Sequence, residues 1–238
     1  MSVDGPVIDV RRADQRPHTD IGWLDSHHSF SFGGHYDPSN THHGLLLVSN
    51  DDRVAAGTGF STHPHRDMEI VTWVLSGRLE HKDSEGNHGE LYPGLAQRMS
   101  AGRGIWHSEM NPSPTEPVHF IQMWVPPDTE RIDPGYEQLD INGELDKGGL
   151  QPIASGQGHD AAITIRQRDA VLWGGRLKPG ETISVPEGRH AHLFIALGDA
   201  DLGAGALAEG DAVRLSGAGS SKLTAGATGA EVLIWVTA

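Results

Sequence analysis

Apolar and polar positions alternate along most of the chain with a period of two, and glycine or proline breaks the alternation every few residues, which is the pattern of short half-buried strands. Glu69 to Leu75 is rich in β-branched and aromatic residues, and Ser76-Gly77 turns it into Arg78 to Asp83. Ser29 to Phe32 reads as a short strand entering a glycine turn, Leu45 to Val48 as a buried strand, Asn50-Asp51-Asp52 as a turn, and Val54 to Phe60 as the next strand. Leu95 to Ser100, Ile105 to Met110 and Val118 to Val125 follow, with Ala101 to Gly104 as the turn between the first two. Pro126-Pro127-Asp128 ends this unit.

Residues 128–160 are polar and glycine-rich, so they read as a linker, with a short helix expected around Gly135 to Leu139. The strand rhythm returns from Ala161 in Ile163 to Arg166, Val171 to Leu177, Thr182 to Val185, His192 to Leu197, Ala212 to Leu215 and Val232 to Val236. Gly217 to Gly229 is rich in Gly, Ala and Ser and is expected to include a mobile loop. No helical period of useful length appears. The expectation is an all-β protein with domains at 1–127 and 161–238, built as sandwiches or barrels and related by an internal duplication.

Composition narrows the function. The 238 residues include 31 glycines and 14 prolines, in keeping with many turns. Eighteen Lys and Arg against 32 Asp and Glu give a net charge of −14, which argues against a nucleic-acid surface and against an anionic membrane leaflet. The apolar runs are too short to span a bilayer, and the start of the chain lacks the apolar core of a secretory signal, so a cytoplasmic location is expected. There is no cysteine, so any metal must be held by nitrogen and oxygen ligands.

Of the 15 histidines, most are scattered, and His18, His27, His28 and His81 among them are expected to be structural or solvated. His190-Ala191-His192 imitates a ligand pair but has no partner pair at a suitable interval. His63-Pro64-His65 and His107-Ser108-Glu109 differ, because each places two ligating side chains at i and i+2 on neighbouring strands beside glycine turns. Three neutral imidazoles and one carboxylate carry −1, so a divalent cation leaves +1 and open coordination positions. Four such groups converging in a barrel without a cation would be costly to bury. Fe(II) is the first expectation, and the donor set also admits Mn, Co, Ni, Cu or Zn.

The two pairs match the two cupin motifs in spacing, and the stretch resembles the pirin family more closely still. The resemblance rests on His63-Pro64-His65-Arg66, Glu69, His81-Lys82-Asp83-Ser84, Gly86-Asn87, and Ala101-Gly102-Arg103-Gly104 through His107-Ser108-Glu109. Upstream, Gly22 to Ser26 and Phe30-Ser31-Phe32 are similar to short bacterial pirin-like proteins with quercetinase activity. The resemblance implies a bicupin, two jelly-roll barrels in tandem, with one metal in the first barrel and none held by the second. It implies His63, His65, His107 and Glu109 as ligands, with Glu69 beside them or salt-bridged; in general cupins the carboxylate would instead come from the position of Glu69. It implies a quercetin 2,3-dioxygenase that opens the flavonol ring with O₂ and releases CO, with Glu109 as ligand and base. The alternative from the same family is a redox-responsive regulatory protein with protein partners. Phe60, Trp73, Met99, Trp106, Gln122 and Trp124 are the candidates for the pocket wall, each of which also reads as a core residue.

Overall fold

The structure is a computed structural model and describes residues 7–160, 163–203, 205–217, 219 and 221–238. The expected start of the second domain at Ala161 lies outside them. The architecture is all-β, two barrels in tandem, with a four-residue α-helix at Asn142–Leu145 and a 3-10 turn at Ala13–Gln15 among the described residues. Among the described residues no helix is long and apolar enough to cross a membrane.

The first barrel sets a four-stranded sheet against a seven-stranded one. The four-stranded sheet runs Gly59–His65, Ile105–Met110, Leu79–Asp83, His88–Leu91 in spatial order. The seven-stranded sheet includes Glu69–Ser76, Val118–Val125, Val48–Val54 and the hairpin His18–Asp20 with Leu24–His28. A nine-stranded sheet forms the second barrel, and its edge strand is Val7–Arg11, which pairs with Ala212–Ser216 from the far end of the chain.

The largest core cluster lies between the barrels. It joins Val71, Trp73, Ile121, Met123 and Val125 of the first to Phe194, Ala196, Leu233 and Trp235 of the second. The alternate residues Leu193, Ile195, Val232 and Ile234 fill the second barrel's own core. Strands buried on both faces lose the apolar–polar alternation, which explains why these segments read as continuous apolar runs. Trp73, expected in a pocket wall, therefore faces the other barrel, where its Nε1 donates to Glu231 at 2.7 Å.

Three local expectations differ from the structure. Asn50-Asp51-Asp52 is no turn but the middle of the buried strand Val48–Val54. Its acids are partnered: Arg16 at 3.0 Å and His119 at 2.6 Å hold Asp51, Ser26 donates to Asp52, and Asn50 Oδ1 meets His28 at 2.9 Å. Buried polar groups that find partners tolerate a strand, and composition alone does not reveal the partners. Gly135–Asp140, expected to be helical, is instead an edge strand on Leu95–Ser100, and the helix follows it. Lys222–Thr237, which covers most of the expected loop, is a 16-residue strand.

Phe194 is almost fully buried at this shared core and lies beneath the Arg16 guanidinium at 5.0 Å. Phe194→Ala is expected to cost about 3–5 kcal/mol through lost burial and the cavity left behind. Denaturant unfolding followed by tryptophan fluorescence measures this.

Candidate metal centre

The site is built on three adjacent strands of the four-stranded sheet. Ile105–Met110 is the middle one, pairing with Gly59–His65 on one side and Leu79–Asp83 on the other. Register sets His107 beside His63 and Asp83, and the next inward row sets Glu109 between Phe60 and His81. Because side chains alternate, His63 and His65, His81 and Asp83, and His107 and Glu109 all turn to the barrel interior.

The pairing slips between His107 and Glu109, where two steps on the middle strand oppose three on its neighbour, from His63 back to Phe60. This bulge has a chemical consequence. His63 Nδ1 lies 2.7 Å from the carbonyl oxygen of Ser61, an acceptor only, so Nδ1 carries the proton and Nε2 presents its lone pair. Gly59 sits at the close approach of the two strands, where a Cβ would lie 2.3 Å from the carbonyl of Glu109.

His63, His65 and His107 bring one ring nitrogen each to within 4.8 Å of one another. His63 Nε2 and His107 Nε2 are 3.0 Å apart, which matches the separation of adjacent ligands around an ion bound at about 2.1 Å. Burial, then the neighbouring rings of His107 and His63, lowers His65 to about 4, and burial with His63 and His81 lowers His107 to about 3. Both rings are therefore neutral at neutral pH, with lone pairs free to ligate. Glu109 is buried, and its Oε2 accepts from Gln122 Nε2 at 2.7 Å. The amide is oriented by Trp124 Nε1, which can only donate and reaches Gln122 Oε1 at 3.2 Å. Trp124 also packs edge-on to His65 at 4.9 Å.

His81, which sequence reasoning left among the scattered histidines, joins the cluster. Its ring nitrogen lies within 4.8 Å of ligand atoms of His107 and Glu109, its Nε2 meets Asp83 at 3.1 Å, and its Nδ1 is buried with no partner. The signal was its place in the quoted His81-Lys82-Asp83 segment. Glu69 is elsewhere: its carboxylate accepts from Ser100 at 2.8 Å and from the Arg166 backbone at 3.0 Å, with Arg98 at 4.0 Å. Among the described residues it belongs to no cluster able to hold a metal, and Arg98 stands at salt-bridge distance from it.

Two spaces flank the cluster. An inner cavity of about 150 Å³ is lined by Phe32, Phe60, Gln122, His28, Asn50 and Asp52 among others. An outer depression of about 450 Å³ is lined by Pro64, His65, Arg66, Gly104, Ile105 and Trp106. Trp106 was expected to point inward. It is 54% exposed, because it alternates with His107 and so faces outward beside His65. Met99 packs with Ile70, Ala101 and Ile105 and lines neither space.

Lone pairs on the neutral rings of His65 and His107 and the close approach of His63 Nε2 to His107 Nε2 suit one borderline divalent ion, and Glu109 groups with His107 and His81 at its inner side. In metal-free protein the depressed values have a stability cost. Above the ordinary value of 6.5 both rings are neutral whether folded or not; below it the unfolded chain takes up protons that folded His65 and His107 refuse. Stability of chelator-treated protein is therefore expected to fall as pH drops from 6.5 towards 3, and His65→Gln is expected to flatten that fall in denaturant titrations at several pH values.

Comparison with known proteins gives a consistent picture. The Pirin family model matches residues 9–125, and the model described as the quercetinase C-terminal cupin domain matches residues 152–235. A Mycobacterium tuberculosis protein provisionally named a quercetin 2,3-dioxygenase is 59% identical over 231 residues, covering 96% of this chain and 94% of that protein. Escherichia coli quercetin 2,3-dioxygenase is 46% identical over 161 residues, 68% of each. The crystal structure of YhhW from Escherichia coli superposes with a TM-score of 0.90 at 36% identity, covering 98% of both chains. A structure of bacterial pirin YhhW in complex with nickel(II) gives 0.89 at 35%, covering 97% of this chain and 99% of that one.

Proposed function

Because the chain belongs to the pirin family, we propose that it is a metal-dependent dioxygenase that opens flavonols such as quercetin. The observation that carries this reading is the convergence of His63, His65 and His107 inside the first barrel, with Glu109 joined to them through His107 and held by Gln122. The names carried by the relatives support the reaction class, and the nickel(II) complex of the Escherichia coli pirin supports a divalent transition metal as the cofactor.

His63, His65, His107 and Glu109 would hold the metal. An ion bound there would supply Lewis acidity toward the flavonol oxygen and a redox-capable centre for O₂ chemistry. The chain's own residues do the rest. The Ser61 carbonyl fixes His63 in the tautomer that offers Nε2, and Asp83 grips His81, whose ring packs 5.4 Å from that of His107. Gln122 donates to Glu109 Oε2 and so fixes the carboxylate that would ligate the metal and accept the proton of the flavonol 3-hydroxyl. The net charge of +1 at the loaded site favours the resulting anion. In the overall reaction both atoms of O₂ enter the flavonol, the central ring opens, and one ring carbon leaves as CO.

Anaerobic reconstitution with Fe(II), Mn(II), Co(II), Ni(II), Cu(II) or Zn(II), followed by quercetin and O₂, tests the proposal. The expected result is loss of flavonol absorbance with CO evolved for at least one metal, and its absence with every metal refutes the assignment. His63→Ala and His107→Ala are expected to lose bound metal. Gln122→Leu is expected to keep the fold and lose about 10–100-fold in activity or metal affinity, as outer partners of ligands do.

A further inference from the structure

We infer that His18, Asp25 and His27 form a second, solvent-facing site for a divalent first-row transition ion on the edge hairpin of the seven-stranded sheet, separate from the centre inside the barrel. The strands His18–Asp20 and Leu24–His28 pair antiparallel with His18 directly opposite His27, and Asp25 stands two residues before His27 on the same face. One sheet face thus carries two imidazoles and a carboxylate, while the alternate residues Ser26 and His28 turn inward to the cavity.

The geometry is that of adjacent ligands around one ion. His18 Nε2 is 2.9 Å and His27 Nδ1 3.5 Å from the same oxygen, Asp25 Oδ1, and the three ligand atoms lie within 4.8 Å of one another. Ions bound at about 2.1 Å put neighbouring ligands roughly 3.0–3.4 Å apart, from octahedral to tetrahedral arrangement. The two rings are stacked at 4.3 Å with 14° between their planes, so the pair is already brought together. Without a cation this stacking brings no opposite charge except Asp25, and it leaves both rings crowded on one carboxylate oxygen.

The neighbouring cations do not occupy the carboxylate. Arg53 stands opposite Asp25 in the adjoining strand but reaches Asp51 at 3.6 Å and Glu209 at 3.3 Å, and Arg16 is paired with Asp51 at 3.0 Å. The side chains are open to water, with His18 45%, Asp25 49% and His27 26% exposed. An ion here exchanges freely and completes its shell with water. Two imidazoles and one carboxylate suit Zn(II), Ni(II) or Cu(II) and disfavour Mg(II) and Ca(II), which prefer all-oxygen shells.

Equilibrium dialysis of the full chain against Zn(II), followed by elemental analysis, tests the site. The expected result is two ions per chain in the wild type, one in His18→Ala/His27→Ala, and one in His63→Ala/His107→Ala, the two variants losing different ions. A wild type that binds a single ion, or a His18→Ala/His27→Ala variant that still binds two, overturns the second site without touching the first. Zn(II) titration of the wild type followed by NMR of the histidine rings provides a measure that needs no variant: shifts at His18 and His27 support the site, and their absence refutes it.

Discussion

The structure depends on bringing three imidazoles together inside a barrel with burial holding His65 and His107 neutral. Lone pairs that converge within 4.8 Å can share a cation, but protonated rings at that distance repel and lose hydration. The central strand Ile105–Met110 meets this condition by lying between two strands that each carry an inward pair. The bulge in Gly59–His65 supplies the remaining piece, because the Ser61 carbonyl freed by the irregular pairing fixes the His63 proton on the far nitrogen. Removing either the register or the bulge would leave the same residues in the sequence with no common focus.

The seven-stranded sheet makes this arrangement rigid by having two working faces. On Val118–Val125, Gln122 and Trp124 face the imidazoles and Glu109, whereas Ile121, Met123 and Val125 enter the core shared with the second barrel. The second barrel thus braces the wall from which the carboxylate is held. Glu69 reinforces the junction: one carboxylate joins Ser100 in the first barrel to the Arg166 backbone beyond the connection. A general cupin would use this position as a ligand, and here it serves as a tie between halves.

The parts legible in the sequence were those governed by the period of two. His63 with His65 and His107 with Glu109 could be placed on inner faces because i and i+2 share a side of any strand. Trp106 shows the same rule neglected, since its neighbour His107 already assigns it to the outside. His81 was missed although it forms an i,i+2 pair with Asp83 of the same kind; its pairing with Glu109 across the sheet is what places it at the site. Asn50-Asp51-Asp52 misled for a related reason: turn-forming residues look alike whether solvent or buried partners satisfy them, and Arg16, His119 and Ser26 come from distant segments. The first half of Lys222–Thr237 was hidden by small residues that suit a loop, yet pair with a long neighbouring strand, whereas Val232 to Val236 was legible as a strand.

The buried acids also explain how the barrel tolerates the buried carboxylate of Glu109. Asp51 and Asp52 sit next to each other, but Asp51 is paired with Arg16 and hydrogen-bonded to His119, and burial raises Asp52 to about 7, with Ser26 opposing the shift and both Asp51 and Glu109 adding to it. Near neutral pH Asp52 therefore holds its proton for much of the time. Two other buried carboxylates, Glu109 and Asp83, have side-chain partners that include no Arg or Lys: Gln122 holds the first, and His81 with Asn87 the second. The fold thus pairs or protonates Asp51 and Asp52, and it sets Asp83 opposite His107 in register and Glu109 in the next row, where a divalent ion held by the imidazoles would lie close to both.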